Sequence, residues 1–342
     1  MNQTDYFEKA IAIFSGVSNY YTDNLELAGR TIKLKTPSVA LRKTFLFSLT
    51  HLLSEIEAKA PDLTILYAED KDLPYRLHCP PIDDFNAQGF NANAEHEDVQ
   101  IFFQPWQQQV FIYSSAKKTG IYWVSNALDI PWWEPTFSFR AIFHLWTRDL
   151  PAQLVHAGAI ANNYKGVLIT GASGSGKSTS CLNLLRAGYK YLGDNYVWVE
   201  LGPVPEVHAL YQTAKVEPDN FQQRFSDWQQ YLTNGENYLN QKAILDIKKM
   251  MPGQWLSSIP LKAIFVPSVV EKEETVLYKA NTKKALFAMA PTTLHHLPHN
   301  RVSSYKKLLT LTGNLPAYSW ELGQDIKKFQ SSFAEFIDNE GS

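Results

Sequence analysis

The sequence predicts an α/β (α+β) chain in two parts: a mixed, strand-rich domain over residues 1–150 and a second α/β domain over 151–338. Three observations predict it. The length of 342 residues suits about two domains. Strand-like alternation and helix-like periodicity share both halves. A glycine-rich segment sits between a β-prone run and a helical pattern in the second half.

Composition bounds the rest. Lys and Arg number 32 against 34 Asp and Glu, a formal charge of −2. That balance lacks the basic excess that drives non-specific nucleic-acid or membrane binding. Hydrophobic residues at 45% and charged residues at 19% supply a sizeable core and exclude disorder. Two cysteines, Cys79 and Cys181, exclude a disulfide framework and a four-cysteine zinc site. The N-terminal stretch lacks a basic n-region and a long apolar h-region, and the longest apolar runs, such as Leu261–Val270, fall short of a membrane span. The expectation is a cytoplasmic protein with neither nucleic acid nor membrane as partner.

In the first half, Thr31–Lys35 alternates as a half-buried strand. Phe45, Leu46, Leu49, Leu52, Leu53 and Ile56 recur at helical spacing and predict a helix over Lys43–Ala58. Pro80-Pro81 and the stretch Asn86–Ala94 mark a loop. Val99–Phe103, Gln109–Tyr113 and Ile121–Val124 predict successive strands, and Phe139–Thr147 a helix. Five of the nine Trp fall at 106, 123, 132, 133 and 146. They read as rings packing a junction between domains, or alternatively as an aromatic acceptor or docking surface.

The chemistry lies in Gly166-Val-Leu-Ile-Thr-Gly-Ala-Ser-Gly-Ser-Gly-Lys-Ser-Thr179. Gly171, Gly176, Lys177 and Ser178 satisfy the phosphate-binding (P-loop) pattern G-x-x-x-x-G-K-[ST]. Val167–Thr170 predicts the strand before it, and Ser178–Ala187 the helix after it, which Gly188 can end in left-handed geometry. Glycines let the backbone of Gly171, Ser173, Gly174, Ser175, Gly176 and Thr179 wrap phosphate oxygens at a helix N-terminus. Lys177 is expected on the β- and γ-phosphates and the Ser178 hydroxyl on Mg²⁺. A guanine-recognition N-K-x-D, an L-S-G-G-Q signature and an apolar strand ending in Asp-Glu are all missing, which argues against a switch GTPase, an ABC ATPase and conventional hydrolysis. Asp194 follows one helix and one short strand beyond Lys177. Its placement suits a magnesium ligand or a base for an incoming hydroxyl, or equally a turn-former between Gly193 and Asn195.

Val155-His-Ala-Gly, the P-loop and Tyr191-Leu-Gly-Asp-Asn-Tyr resemble the HPr kinase/phosphorylase superfamily, whose P-loop domain is related to phosphoenolpyruvate carboxykinase. Tyr122-Trp-Val, Pro131-Trp-Trp-Glu134, Leu210-Tyr-Gln-Thr-Ala-Lys215 and Glu321-Leu-Gly323 are similar to stretches of the bacterial HPr serine kinase-like proteins. The likeness runs from about Ile121 to Phe336 and leaves the first 120 residues unmatched. It implies a P-loop kinase domain of that type, with ATP and Mg²⁺, and a hydroxyl acceptor: a serine of a protein or peptide, free serine, or another small molecule. It implies His156 near the phosphoryl-transfer centre and Asp194 as the base. Asn195 stands where the superfamily has a second aspartate, which puts the second-carboxylate role in doubt. Lys215 is a candidate phosphate or carboxylate anchor, or else a solvated surface lysine. The resemblance also raises a homo-oligomer, although no interface is legible in the sequence.

The weaker candidates have plainer readings. Glu217, Arg224, Lys242 and Arg301 are possible supporting charges behind the site, and each reads first as a surface residue. His295, His296 and His299 read as a polar loop around Pro298 in preference to a metal site. Cys181 reads as a small packing residue. A nucleotide-binding regulatory module without phosphotransfer is the alternative function, and a decarboxylating carboxykinase a more remote one, because no oxaloacetate-binding Arg constellation is legible.

Overall fold

In the computed structural model, which describes residues 2–91, 97–297 and 299–339, the chain opens on α1 (Gln3–Ser15). The Asn2 side chain caps it by accepting the N–H groups of Thr4 and Asp5. Tyr6, Phe7, Ala10, Ile13 and Phe14 form its buried stripe. There follow β1 (Tyr21–Leu27), β2 (Arg30–Thr36), α2 (Val39–Leu46), β3 (Leu63–Glu69), β4 (Val99–Gln104), β5 (Gln109–Ser114), β6 (Thr119–Val124) and α3 (Arg140–Trp146). The six strands make one mixed sheet in the order β1-β2-β3-β6-β5-β4, with β3 parallel to both β2 and β6. The turn between β1 and β2 puts Ala28 and Gly29 at positive φ, the geometry that suits the twist of a tight hairpin.

The predicted helix over Lys43–Ala58 is corrected. Ser38 starts α2 earlier by capping the Leu41 N–H, and the helix ends at Leu46. Beyond it the backbone turns back: Leu53 bridges to Leu25, and the Ser54 N–H donates to the Asn24 carbonyl at 2.9 Å. Leu49 and Leu52 are buried by this turn, while Ile56 is exposed, so the apolar spacing is satisfied without a helix. The tryptophans also divide. Trp123 lies in the core packed against α1, with its Nε1–H donating to Asp70, and Trp146 is buried; Trp106 is 91% exposed. The loop expected over Asn86–Ala94 lies partly outside the described residues.

The second unit contains β7 (Ala152–Val155), β8 (Gly158–Ala161), β9 (Gly166–Ile169), α4 (Lys177–Arg186), β10 (Lys190–Gly193), β11 (Val197–Glu200), β12 (Glu206–His208) and β13 (Thr213–Val216). It continues through α5 (Pro218–Arg224), β14 (Ala243–Asp246), α6 (Ile247–Met250), β15 (Ser258–Val269), β16 (Val276–Ala280), α7 (Thr282–His296), α8 (Arg301–Asn314), β17 (Ala317–Leu322) and α9 (Ile326–Asn339). Its main sheet runs β10-β8-β9-β15-β12-β11-β7, with β17 against β15 and β16 against β17; β13 and β14 pair separately. β7, β8 and β9 are buried on both faces, as is most of β15, and alternation assigns the faces. Val167, Ile169, Ala263 and Phe265 pack with α4 and α9, whereas Leu168, Ile264 and Val266 pack with α7 and α8. The result is a three-layer arrangement with β9 and β15 central and parallel.

Compactness divides the chain into Met1–Leu150 with His296–Ser304, and Pro151–His295 with Tyr305–Ser342. The continuous stretch expected over 151–338 is therefore interrupted. The physical reason lies in the hydrogen bonds of the interrupting segment: His299 Nε2 lies 2.8 Å from the Ile101 carbonyl, and Gln100 Nε2 donates to Asn300 Oδ1 at 3.1 Å. Among the described residues no helix is long and apolar enough to cross a membrane.

Candidate phosphate-binding site

The P-loop connects the C-terminal end of β9 to the N-terminus of α4. The Thr170 N–H donates to the Phe265 carbonyl at 2.9 Å, so the strand pairing of β9 with β15 continues to the mouth of the loop. Two glycines then do what other residues could not. Gly174 and Gly176 hold φ of +77° and +99°, and a Cβ on Gly176 would stand 2.7 Å from Leu322 Cδ1. Gly171 leaves room for the Ser175 side chain, whose buried Oγ has no hydrogen-bond partner among the described residues. Ala172, Ser173 and Gly174 are exposed at the rim, and Thr179 is half-buried in the first turn of α4.

Lys177 opens α4 and folds back over the loop. Its Nζ donates to the carbonyls of Gly171 at 2.8 Å and Ala172 at 2.9 Å. Burial pushes its ammonium down from the ordinary lysine value, with the field of Lys242 acting in the same direction and the charge of Asp194 opposing.

Asp194 follows β10 and is fully buried. Its Oδ1 accepts from Ser178 Oγ at 2.9 Å, and its Oδ2 accepts from Asn195 Nδ2 at 3.0 Å. The backbone N–H of Lys215 is a further donor to the carboxylate. Desolvation raises the carboxyl above its usual range, while the Ser178 hydrogen bond and the ammonium charges of Lys177 and Lys215 pull it back. Asn195 turns the chain at φ +71°, a left-handed position that Asn tolerates better than most residues.

Of the residues singled out by sequence, Lys177, Ser178, Asp194, Asn195 and Lys215 thus converge. His156 is set differently. It follows β7, its N–H donates to Thr293 Oγ1 at 3.1 Å, and its ring lies 5.1 Å from that of Tyr196. The Tyr196 backbone N–H donates to the Asp194 backbone carbonyl at 3.0 Å, so His156 packs on a residue of the turn that carries Asp194. His299 is buried on Ile101, His295 and His296 are exposed, and Pro298 lies outside the described residues. No group of three or more His, Cys, Asp or Glu side chains forms a metal cluster among the described residues.

Comparison with known proteins adds little. No protein-family model matches the sequence. No curated protein matches it either. Among solved structures, the Hpr(Ser) kinase/phosphatase from Coxiella burnetii is similar with a TM-score of 0.33 and 11% identity, over 55% of this chain and 99% of that one. A likeness of that size bears on neither activity nor substrate.

Two features of the site escape sequence reasoning. Gly158 is the first: a Cβ there would meet Cys181 Sγ at 2.5 Å and approach Asp194 Oδ1 at 3.8 Å, so its hydrogen makes room for the helix that carries the loop. Its only signal was membership of Val155-His-Ala-Gly. The second is the electrostatic bearing of Lys242, a charge that reads first as a surface residue, on Lys177, which depends on the pairing of β13 with β14. No local pattern encodes it.

Proposed function

We propose that the chain is an ATP-dependent kinase that transfers the γ-phosphoryl group to a hydroxyl acceptor. The observation that carries the reading is a buried carboxylate, Asp194, hydrogen-bonded at 2.9 Å to the P-loop hydroxyl of Ser178. A carboxylate at that spot suits a magnesium ligand and also a base for an incoming hydroxyl, and the second of these roles is the one that transfer adds.

The loop amides and Lys177 would cradle the β- and γ-phosphates and stabilise charge on the transferred group. Asp194 would orient the acceptor hydroxyl and take its proton as the new P–O bond forms and the bond to the β–γ bridging oxygen breaks, releasing ADP. Ser178 Oγ and Asp194, 2.9 Å apart, are hard oxygen donors of the kind Mg²⁺ takes and would hold it. The ion, when bound, supplies charge neutralisation on the phosphates. His156 would stand behind Tyr196 as a neighbour of the centre. The acceptor class, a serine side chain, free serine or another small-molecule hydroxyl, rests on resemblance alone.

One observation favours a second reading, a nucleotide-binding module without transfer. Asn195 occupies Asp194 Oδ2 as a donor, in the place where the resembled superfamily carries a carboxylate. Incubation with γ-labelled ATP and acceptor pools separates the two. The kinase reading expects labelled acceptor, and expects Asp194→Ala to lower transfer by about a thousandfold with ATP binding largely retained. Transfer that survives Asp194→Ala would remove the base assignment. Tight binding without labelling of any acceptor would favour the module.

A further inference from the structure

Lys177 and Lys215 both draw the Asp194 carboxyl down electrostatically, and Lys177 Nζ sits on the loop carbonyls of Gly171 and Ala172. A magnesium-complexed triphosphate brings two negative charges. The β13–β14 hairpin holds a further cation. Its ladder ends at Val216 opposite Ala243, so the next residues out, Glu217 and Lys242, face each other just beyond it. Their side chains are paired, with Lys242 Nζ 2.6 Å from Glu217 Oε1. Lys215, two residues before Glu217 on the same strand, reaches Asp194 through its backbone N–H. The hairpin packs against α4, with Ala214, Val216, Ala243 and Leu245 in one core with Cys181, Leu182 and Leu185. The segment carrying Lys242 is thereby tied to the helix that carries the P-loop, and the Lys242 side chain stays partly exposed.

We propose that Lys242 is a further phosphate-binding cation of this site, held by Glu217 until nucleotide phosphates enter and then released onto them. Glu217 then sets the affinity: it competes with phosphate for the same ammonium. The inference rests on the P-loop binding phosphate, and not on transfer.

The test is a double-mutant cycle on the full chain, with dissociation constants measured calorimetrically for MgATP and for magnesium tripolyphosphate, which lacks the nucleoside. Lys242→Ala should weaken both ligands about three- to tenfold. Glu217→Gln should tighten both about two- to fivefold. In the Lys242→Ala background Glu217→Gln should do nothing, and Lys242→Arg should restore binding. Raised salt should shrink the difference between wild type and Lys242→Ala. Unchanged affinity in Lys242→Ala, additivity of the two changes, or an effect on MgATP but not on tripolyphosphate each overturns the proposal, as does a wild-type chain that binds neither ligand. Failure of transfer with the cycle intact would instead remove the kinase reading and leave the latch standing.

Discussion

Asp194 and Glu69 are both buried carboxylates at the end of a strand, and their surroundings differ in kind. Glu69, the last residue of β3, accepts the Ala127 N–H at 3.0 Å and pairs with Lys71 at 2.6 Å. The first partner is the start of a short turn over Ala127–Asp129, and the second is an ammonium on a largely exposed stem. Asp194 is held by a hydroxyl, a side-chain amide, a strand N–H and two ammonium charges. A carboxylate tied to backbone and solvent fixes a loop. One tied to side chains at a phosphate-binding loop can exchange those partners for ligand atoms. Burial alone therefore does not mark a reactive group; the identity of its partners does.

The largest test of that contrast uses the lysines. Lys177→Ala removes the cation that closes the loop and should weaken MgATP binding by about ten- to a hundredfold. Lys71→Ala should leave MgATP binding unchanged, because its charge serves Glu69. Equal losses in the two variants, measured by calorimetry, would break the distinction.

How much of this was legible in the sequence follows from how local each feature is. The P-loop is read directly because strand, glycines, lysine and helix are contiguous, and the structure forms β9 and α4 within a residue of the expected bounds. Asp194 was within reach, one helix and one strand further on. Lys215 was reached only through the resemblance and Lys242 only as one of four charges, since their placement depends on an antiparallel pair whose two strands are separated by α5 and two short 3₁₀ turns. The helix over Lys43–Ala58 was misread because its periodicity is real but is satisfied by a turn held on β1, which only tertiary pairing decides. His296–Ser304 was placed with the wrong partner for the same reason: hydrogen bonds from Ile101 and Gln100, remote in sequence, claim it.

A smaller effect sharpens the comparison from the packing side. Gly158→Ala pushes a methyl to within 2.5 Å of Cys181 Sγ, and Cys181 is fully buried in α4 with nowhere to swing. Destabilisation of about 1–3 kcal/mol is expected in chemical denaturation. Adding Cys181→Ala should recover part of it by vacating the contested space. If Asp194 depends on this packing for its position, Gly158→Ala should also lower the maximal rate of any transfer more than it raises the Michaelis constant for ATP. A variant as stable as wild type would show that the helix can move away, and that Gly158 places nothing.

The smallest expected effect is the most discriminating. Glu69→Gln keeps an oxygen for the Ala127 N–H and loses only the charge that Lys71 meets at the surface. The hydrogen bond it retains limits the stability change to about 1 kcal/mol, and MgATP binding should not move. The same chemical change at the other carboxylate, Asp194→Asn, alters volume as little but takes away both the proton acceptor and the charge that faces Lys177 and Lys215. It should leave the melting curve near that of Glu69→Gln while transfer is lost. Two isosteric substitutions with similar stability and opposite activity would locate the chemistry at one carboxylate; similar activity in both would mean that neither partner set was read correctly.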